Sequence, residues 1–342
     1  MAGTGRRPRR STTVTIYDVA AEAGVSITTV SNALNRPERV GAATLERVLA
    51  VADDLGFTPK AAAVTQARQG VGRIGVLSPF TSYSSYRTRL VGVLEACQGQ
   101  SVDVVLFDQP SAAVSTSPLL GSLPTTGRLD GLLVMGLPLE EAMADRLARR
   151  NLPAVLVDSY HRDLSSVYVD DEDGGFRVGE HLVRSGRRTF AYVSERQQSR
   201  AFLSQGQRRI RGFARAVAEA GLDPQAIDHV TTGSDVEGGR RAAEEMVNAG
   251  TVPDAVFAHF DDIAAGLVGR FRELGLEVPG DVAVVGYDDG DLARAMGITT
   301  VRQPFVESGR VGCALLLDRI LGRDMTVKHV SLPTELVIRS TA

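Results

Sequence analysis

Apolar positions recur with two different textures along the chain. Between Thr15 and Gly56 they are spaced at three and four: Ile16, Val19 and Ala20, then Val30 and Leu34, then Leu45, Val48, Ala52 and Leu55. That spacing puts each group on one face of a short helix. Thr15 with Asp18 three residues on signals the start of the first helix, and Gly24 its end. Val25-Ser26 leads into a second helix, whose Val30 and Leu34 can pack back on the first. A third helix runs from about Ala42 to a stop at Gly56. Lys60 to Arg68 is a further helix candidate, too poor in large apolar residues for a core of its own, and Gln69-Gly70-Val71-Gly72 reads as a linker. From Arg73 the texture changes to short continuous apolar runs beginning at Ile74, Val104, Leu132, Ala154, Phe190, Ala255 and Val282, with amphipathic segments of helical length between them. Such alternation predicts an α/β fold with parallel sheets covered on both faces. This stretch is long for one sheet, so two side-by-side Rossmann-like lobes are expected. The predicted organisation is a disordered basic arm at 1–13, a three-helix unit at 14–58, a hinge helix and linker at 59–72, and a two-lobed core at 73–342.

Composition agrees with a globular protein of more than one domain. The chain has 342 residues, 43% hydrophobic and 23% charged, which excludes a single small module and wholesale disorder. Glycine reaches 35 residues and aromatics only 5%, a usage that suits the many strand-to-helix turns of an α/β fold. The net charge of −3 conceals an asymmetry. Residues 1–68 hold nine Lys or Arg against six Asp or Glu, a balance of +3, which leaves −6 for the rest. Contact with nucleic acid is therefore expected at the basic N-terminal end. Cys97 and Cys313, read as two well-separated thiols, provide neither a disulfide framework nor a Cys-rich metal site. No apolar h-region follows Arg6-Arg7-Pro8-Arg9-Arg10, and no stretch approaches a membrane span. A cytoplasmic protein is expected.

In the three-helix unit, Gly24 allows a tight turn. The small polar residues Ser26, Thr28, Thr29, Ser31 and Asn32 leave the second helix free to enter a major groove, which reads as a helix-turn-helix. Catalytic and metal motifs do not emerge. Gly70-x-Gly72-x-x-Gly75 spells a dinucleotide fingerprint but precedes its strand. The five histidines are scattered without ligand spacing, and Asp170-Asp171 and Asp288-Asp289 are neighbours rather than an acid/base pair. No enzyme, cofactor or metal is expected.

The sequence Thr15-Ile16-Tyr17-Asp18-Val19-Ala20, followed by Ala23-Gly24-Val25-Ser26, Thr29-Val30-Ser31 and Leu34-Asn35, resembles the N-terminal signature of the lactose-repressor (LacI/GalR) family. The likeness continues at Gly56-Phe57-Thr58-Pro59, Arg128-Leu129-Asp130-Gly131, Arg209-Ile210-Arg211-Gly212-Phe213, Val278-Pro279-Gly280-Asp281-Val282, Gly286-Tyr287-Asp288-Asp289, Thr299-Thr300-Val301-Arg302-Gln303-Pro304 and Leu332-Pro333-Thr334-Glu335-Leu336. It implies a homodimeric repressor that binds pseudopalindromic operator DNA, with a core like periplasmic sugar-binding proteins and a small sugar-like effector between its lobes. By resemblance, Ile27, Thr28 and Asn32 read bases, while Tyr17, Thr29, Ser31 and Asn35 meet phosphates. Asn32 stands where arginine is common, which shifts the expected preference from guanine toward adenine. Gln66 stands where the family's hinge usually carries a leucine wedge for the minor groove. A hinge helix this short is expected to form only on DNA beside a partner hinge. The implied effector contacts are Asp158, Asp171, Arg209, Phe260 and Asp288; Tyr83 and Tyr86, read into the first strand-to-helix loop, offer aromatic rings either to stack on a ligand or to pack. Phe260 and Asp171 each occupy a position where asparagine is usual, which sets the site apart from the common hexose pattern. With no heptad tail near Ala342, a coiled-coil tetramer is not expected.

Overall fold

The computed structural model describes residues 14–35, 37–57, 72–109, 111, 129–196 and 204–342. The predicted arm at 1–13 and residues 59–71 of the predicted hinge, Gln66 included, lie outside these.

The N-terminal unit has the expected helices: α1 (Ile16–Ala23), α2 (Ile27–Asn35) and, after a 3₁₀ turn at Pro37–Arg39, α3 (Ala42–Asp54). Thr15 and Asp18 form a reciprocal capping box, and Gly24 ends α1 at φ 64°, a left-handed conformation that glycine adopts without steric cost. Ser26 Oγ then accepts the Thr29 amide at 3.0 Å and starts α2. Val19, Ala20, Val30, Leu34, Val48, Leu49 and Ala52 close a small core. At the other end of α3, Asp53 pairs with Arg146, at 3.2 Å, and with Arg150, joining this unit to the core.

The first lobe contains β1 (Arg73–Ser78), α4 (Ser84–Ala96), β2 (Asp103–Asp108), β3 (Gly131–Met135), α5 (Glu141–Arg149), β4 (Ala154–Val157) and β5 (Ser165–Val169). The second contains α6 (Asp171–Arg184), β6 (Phe190–Glu195), α7 (Gln205–Glu219), β7 (Asp228–Thr232), α8 (Val236–Ala249), β8 (Ala255–Ala258), α9 (Asp261–Glu273), β9 (Ala283–Asp288), α10 (Asp291–Met296) and β10 (Thr299–Arg302). The chain returns to the first lobe for α11 (Phe305–Ile320) and β11 (His329–Leu332), then ends in the second with β12 (Glu335–Val337). The sheet orders are β11-β5-β4-β3-β1-β2 and β12-β10-β9-β8-β6-β7. All pairings are parallel except β12 on β10. Both sheets are covered on both faces. In the first lobe α4 and α11 pack on one side and α5 on the other. In the second, α8 and α9 face α6 and α7 across the sheet. Among the described residues no helix is long and apolar enough to cross a membrane.

The glycines do more than turn corners, because each lobe's paired helices meet backbone to backbone. A Cβ on Gly92 of α4 would lie 1.8 Å from the Val306 carbonyl oxygen of α11, and one on Gly309 would lie 2.0 Å from that of Arg89. The same reciprocal arrangement joins Gly175 of α6 with Gly212 of α7, and Gly239 of α8 with Gly266 of α9. The α4–α11 contact also corrects the expectation of well-separated thiols. Cys97, the C-cap of α4, and Cys313 of α11 have their sulfurs 3.6 Å apart, because the helices carrying them pack side by side.

Candidate functional site

The surface of the helix-turn-helix carries the residues expected to meet DNA. Tyr17 is 67% exposed and Ile27 41% exposed, too much for core roles. Thr28 is also exposed, and Ser31 and Asn32 are half-buried on α2. Thr29 is half-buried, and its hydroxyl meets Ser26 Oγ at 2.8 Å, so it also belongs to the helix cap. Asn35 ends α2, but its side chain, like Gln66, lies outside the described residues.

Between the lobes lies a cavity of about 450 Å³. It forms at the C-terminal ends of the strands, where a parallel α/β sheet presents its loops. Tyr83, Tyr86, Asp158, Arg209, Phe260 and Asp288 all line it. Asp158 follows β4 at φ 59°, and Asp288 ends β9 at φ 114°. Such left-handed backbone at two cavity-facing carboxylates is the kind of local strain that persists where a site requires it. Arg89 of α4 forms a buried ion pair with Asp158, and its guanidinium sits 4.3 Å from the Phe305 ring centre. Arg209 donates from Nε to Asp171 at 2.8 Å and from Nη1 to the His259 carbonyl at 2.8 Å, and stacks 3.6 Å from the Tyr287 ring. Asp171 thus holds Arg209 from behind, and lines a smaller adjoining cavity of about 240 Å³.

Electrostatics in the cavity are set mainly by burial. Burial pushes Asp288 up to about 6, against the opposing pull of Arg209 and of Gln303, whose Nε2 donates to Asp288 at 2.6 Å. Asp158 is raised by burial, with Arg89 opposing. His259 Nδ1 lies 2.9 Å from the Tyr192 hydroxyl and 3.4 Å from Arg209 Nη1. Since arginine can only donate, Nδ1 accepts and Nε2 carries the proton. Burial and then Arg209 hold His259 well below its ordinary value, so the ring is neutral. Behind Asp288, the Asp261 carboxylate accepts from Thr300 Oγ1 at 2.6 Å and from the Gly290 amide at 2.7 Å. Burial, followed by Asp288, raises it to about 8. Its folded value therefore exceeds its unfolded one, so the stability it contributes is full at acid pH and is lost as pH rises to about 8. Asp261→Asn, fixed in the neutral form, is expected to flatten the fall in melting temperature between mildly acid and alkaline pH. An unchanged slope in thermal melts would contradict this.

Among the described residues, three contacts join the lobes across the opening. The Tyr83 hydroxyl donates to Glu195 at 2.5 Å, the Tyr83 ring meets Phe260 at 5.4 Å between centres, and Gln205 Nε2 donates to the Asp158 carbonyl at 3.0 Å. Sequence reasoning missed Arg89, Glu195, His259 and Gln303, which also line the cavity. Only Arg89 had a local signal: it follows Tyr86 by three residues and so shares its helix face.

Among the described residues, Glu141, His161 and Asp163 lie close enough to hold a metal ion. His161 Nδ1 accepts the Asp163 amide at 3.2 Å, however, so its other nitrogen carries a proton and points at Glu141. Arg162 pairs with both carboxylates. The cluster is a hydrogen-bonded turn.

Comparison with known proteins matches two parts of the chain. Residues 15–60 match the model for bacterial regulatory proteins of the lacI family, and residues 179–342 match a periplasmic binding protein-like domain. The chain is 30% identical to an HTH-type transcriptional repressor PurR of Photobacterium profundum, over 96% of this chain and 98% of that protein. It is 31% identical to a repressor of the same name from Vibrio parahaemolyticus, with the same coverage. Among solved structures, the transcriptional regulator CelR in complex with cellobiose superposes with a TM-score of 0.68 at 27% identity, covering 96% of this chain and 100% of that one. A lac repressor dimer bound to operator and the anti-inducer ONPF superposes with a TM-score of 0.68 at 28% identity, covering 96% and 98%. With a capped helix-turn-helix ahead of two lobes that enclose a polar cavity, and with relatives matched over nearly its whole length, the chain belongs to the lacI family of bacterial regulatory proteins.

Proposed function

We propose that the protein is a cytoplasmic transcriptional repressor that binds a pseudopalindromic operator as a homodimer, with operator affinity controlled by a small sugar-like effector between its lobes. The observation that carries this reading is the polar lining of the interlobe cavity, where Asp158 and Asp288 oppose Arg89 and Arg209. Carboxylates that accept and guanidiniums that donate suit a ligand whose hydroxyls do both, and the rings of Tyr83 and Phe260 offer faces to a sugar ring. Tyr86 contributes beside Tyr83, while Asp171 acts through Arg209. CelR with cellobiose and the lac repressor with operator support the two halves of the proposal. The relatives are regulators rather than enzymes.

The proposed working units are residues 14–58 for DNA, 59–72 for the hinge and 73–342 for effector binding and dimerisation. Ile27, Thr28 and Asn32 read bases, Tyr17, Thr29, Ser31 and Asn35 hold phosphates, and Gln66 lies at the minor groove. Closing the cleft on an effector changes the relation between the lobes and hence the spacing of the two hinges, which shifts the population able to bind DNA.

The test is selection of bound duplexes from fragmented genomic DNA by full-length protein at physiological salt. Enrichment of a two-fold symmetric sequence is expected, and its absence both with and without carbohydrate would sink the proposal. In the same selection, Asn32→Arg is expected to move one position of each half-site toward guanine, by about 1 to 3 kcal/mol of discrimination. An identical base preference would remove Asn32 from the reading set.

A further inference from the structure

The two cysteines serve neither the DNA-facing helix nor the cavity lining, yet the fold brings them together from positions 216 residues apart. We propose that Cys97 and Cys313 are a redox-sensitive dithiol that closes to an intramolecular disulfide when a hydroperoxide reaches Cys97. Three observations support the assignment. The sulfurs lie 3.6 Å apart, so joining them needs only a small approach of two side chains. Cys313 is fully buried, whereas Cys97 retains 9% exposure and lines a surface groove with Arg73, Leu94, Gln98 and Asp103. An oxidant from solvent therefore meets Cys97 first. The two thiols are also unlike. The hydrogen bond between them holds Cys97 below its ordinary value, while that contact and burial push Cys313 up. The more exposed sulfur is thus placed to attack and the buried one to resolve.

The chemistry balances. The Cys97 sulfur attacks the hydroperoxide, an S–O bond forms as the O–O bond breaks, and the released alkoxide takes up the thiol proton as an alcohol, or as water from hydrogen peroxide. Cys313 Sγ then displaces hydroxide from the Cys97 sulfenic acid, forming the disulfide, and its proton leaves in a second water. Two electrons pass from the thiols to the peroxide, and a dithiol reductant returns them. The disulfide would tie the C-terminal end of α4 to α11. These are the helices that carry Arg89 and its stacking partner Phe305 at the cavity.

The test treats full-length protein with a small molar excess of hydrogen peroxide, quenches with catalase, unfolds it with N-ethylmaleimide present, and analyses intact mass and tryptic peptides. The expected result is a loss of two hydrogens, no alkylation, a Cys97–Cys313 cross-linked peptide, and recovery of both thiols with dithiothreitol. Cys313→Ser is expected to stop at a dimedone-reactive sulfenic acid on Cys97, and Cys97→Ser to remain reduced at the same dose. Thiols that persist at a dose oxidising glutathione would overturn the proposal. So would disulfides between chains, or sulfinic acid without the cross-linked peptide. None of these readouts depends on operator or effector.

Discussion

Arg89→Met is expected to lower stability by about 3 to 5 kcal/mol, the usual consequence of removing one partner of a buried ion pair. The Arg89 and Asp158 side chains are 4% and 6% exposed, so the Asp158 carboxylate would lose its partner in a largely desolvated setting. Asp158, already raised by burial, would have to take up a proton or remain an uncompensated charge. Methionine retains the apolar contact with Tyr86 and Phe305, so the effect isolates the charge. Adding Asp158→Asn, a residue that tolerates the positive φ at this position, should restore much of the loss. The double variant would nevertheless remain unresponsive to effector, since neither charged group remains to bind it. Urea midpoints of the single and double variants, with effector titrations, check both halves. A single variant as stable as the parent would show that the pair is not buried as described.

Gly212→Ala is the second large effect, with an expected loss of roughly 3 kcal/mol, at the upper end of overpacking costs. A Cβ there would lie 1.8 Å from the Glu172 carbonyl oxygen and 2.7 Å from its carbonyl carbon. Both are backbone atoms of the neighbouring helix, so relief requires α6 and α7 to separate. Alanine's better helix propensity returns only about 1 kcal/mol. Gly269→Ala is the internal control. It too is helical, but the nearest atom to its added Cβ is Arg240 Nη1 at 3.9 Å, so a gain of about 0.4 to 1 kcal/mol is expected. Thermal or urea unfolding reads both, and equal effects would mean that helix approach does not decide the role of these glycines.

The contrast between those glycines shows where sequence reasoning reached and where it stopped. Runs such as Ile74–Leu77 and Leu132–Met135 announced their strands because both faces of these parallel sheets are buried. Five strands gave no such run. β5 reads Ser165-Ser166-Val167-Tyr168-Val169, and its serines are buried because Ser165 Oγ accepts the Lys328 amide and Ser166 Oγ meets His329 Nδ1 at 2.8 Å. β10 hides Thr299 and Thr300 in the same way, with Thr299 Oγ1 accepting the Arg339 amide and Thr300 Oγ1 donating to Asp261. β7, β11 and β12 are partly exposed and mix polar with apolar residues. Polar side chains satisfied by distant partners carry no local pattern.

The cavity followed the same rule. Strand-end aspartates and the motif around Arg209 were legible through family resemblance, and Tyr83 through its loop position, whereas Tyr86, read into the same loop, lies in the first turn of α4. Glu195 became part of the site only because β6 ends opposite Tyr83, and Gln303 because the chain crosses between lobes beside Asp288. The pairing of Cys97 with Cys313 likewise depends on α4 and α11 being neighbours, although most of the chain separates them in sequence.

The central claim is that one ligand in the cleft and one operator at the helix-turn-helix share a single conformational equilibrium. It is tested most directly by measuring two affinities on the same samples: the enriched duplex with and without a saturating cleft ligand, and the ligand with and without saturating duplex. The account predicts that both change by the same factor, on the order of 5 to 150, because linkage makes the coupling reciprocal. A ligand that occupies the cleft, as shown by loss of its binding in the Arg89→Met, Asp158→Asn double variant, yet leaves operator affinity unchanged would contradict it.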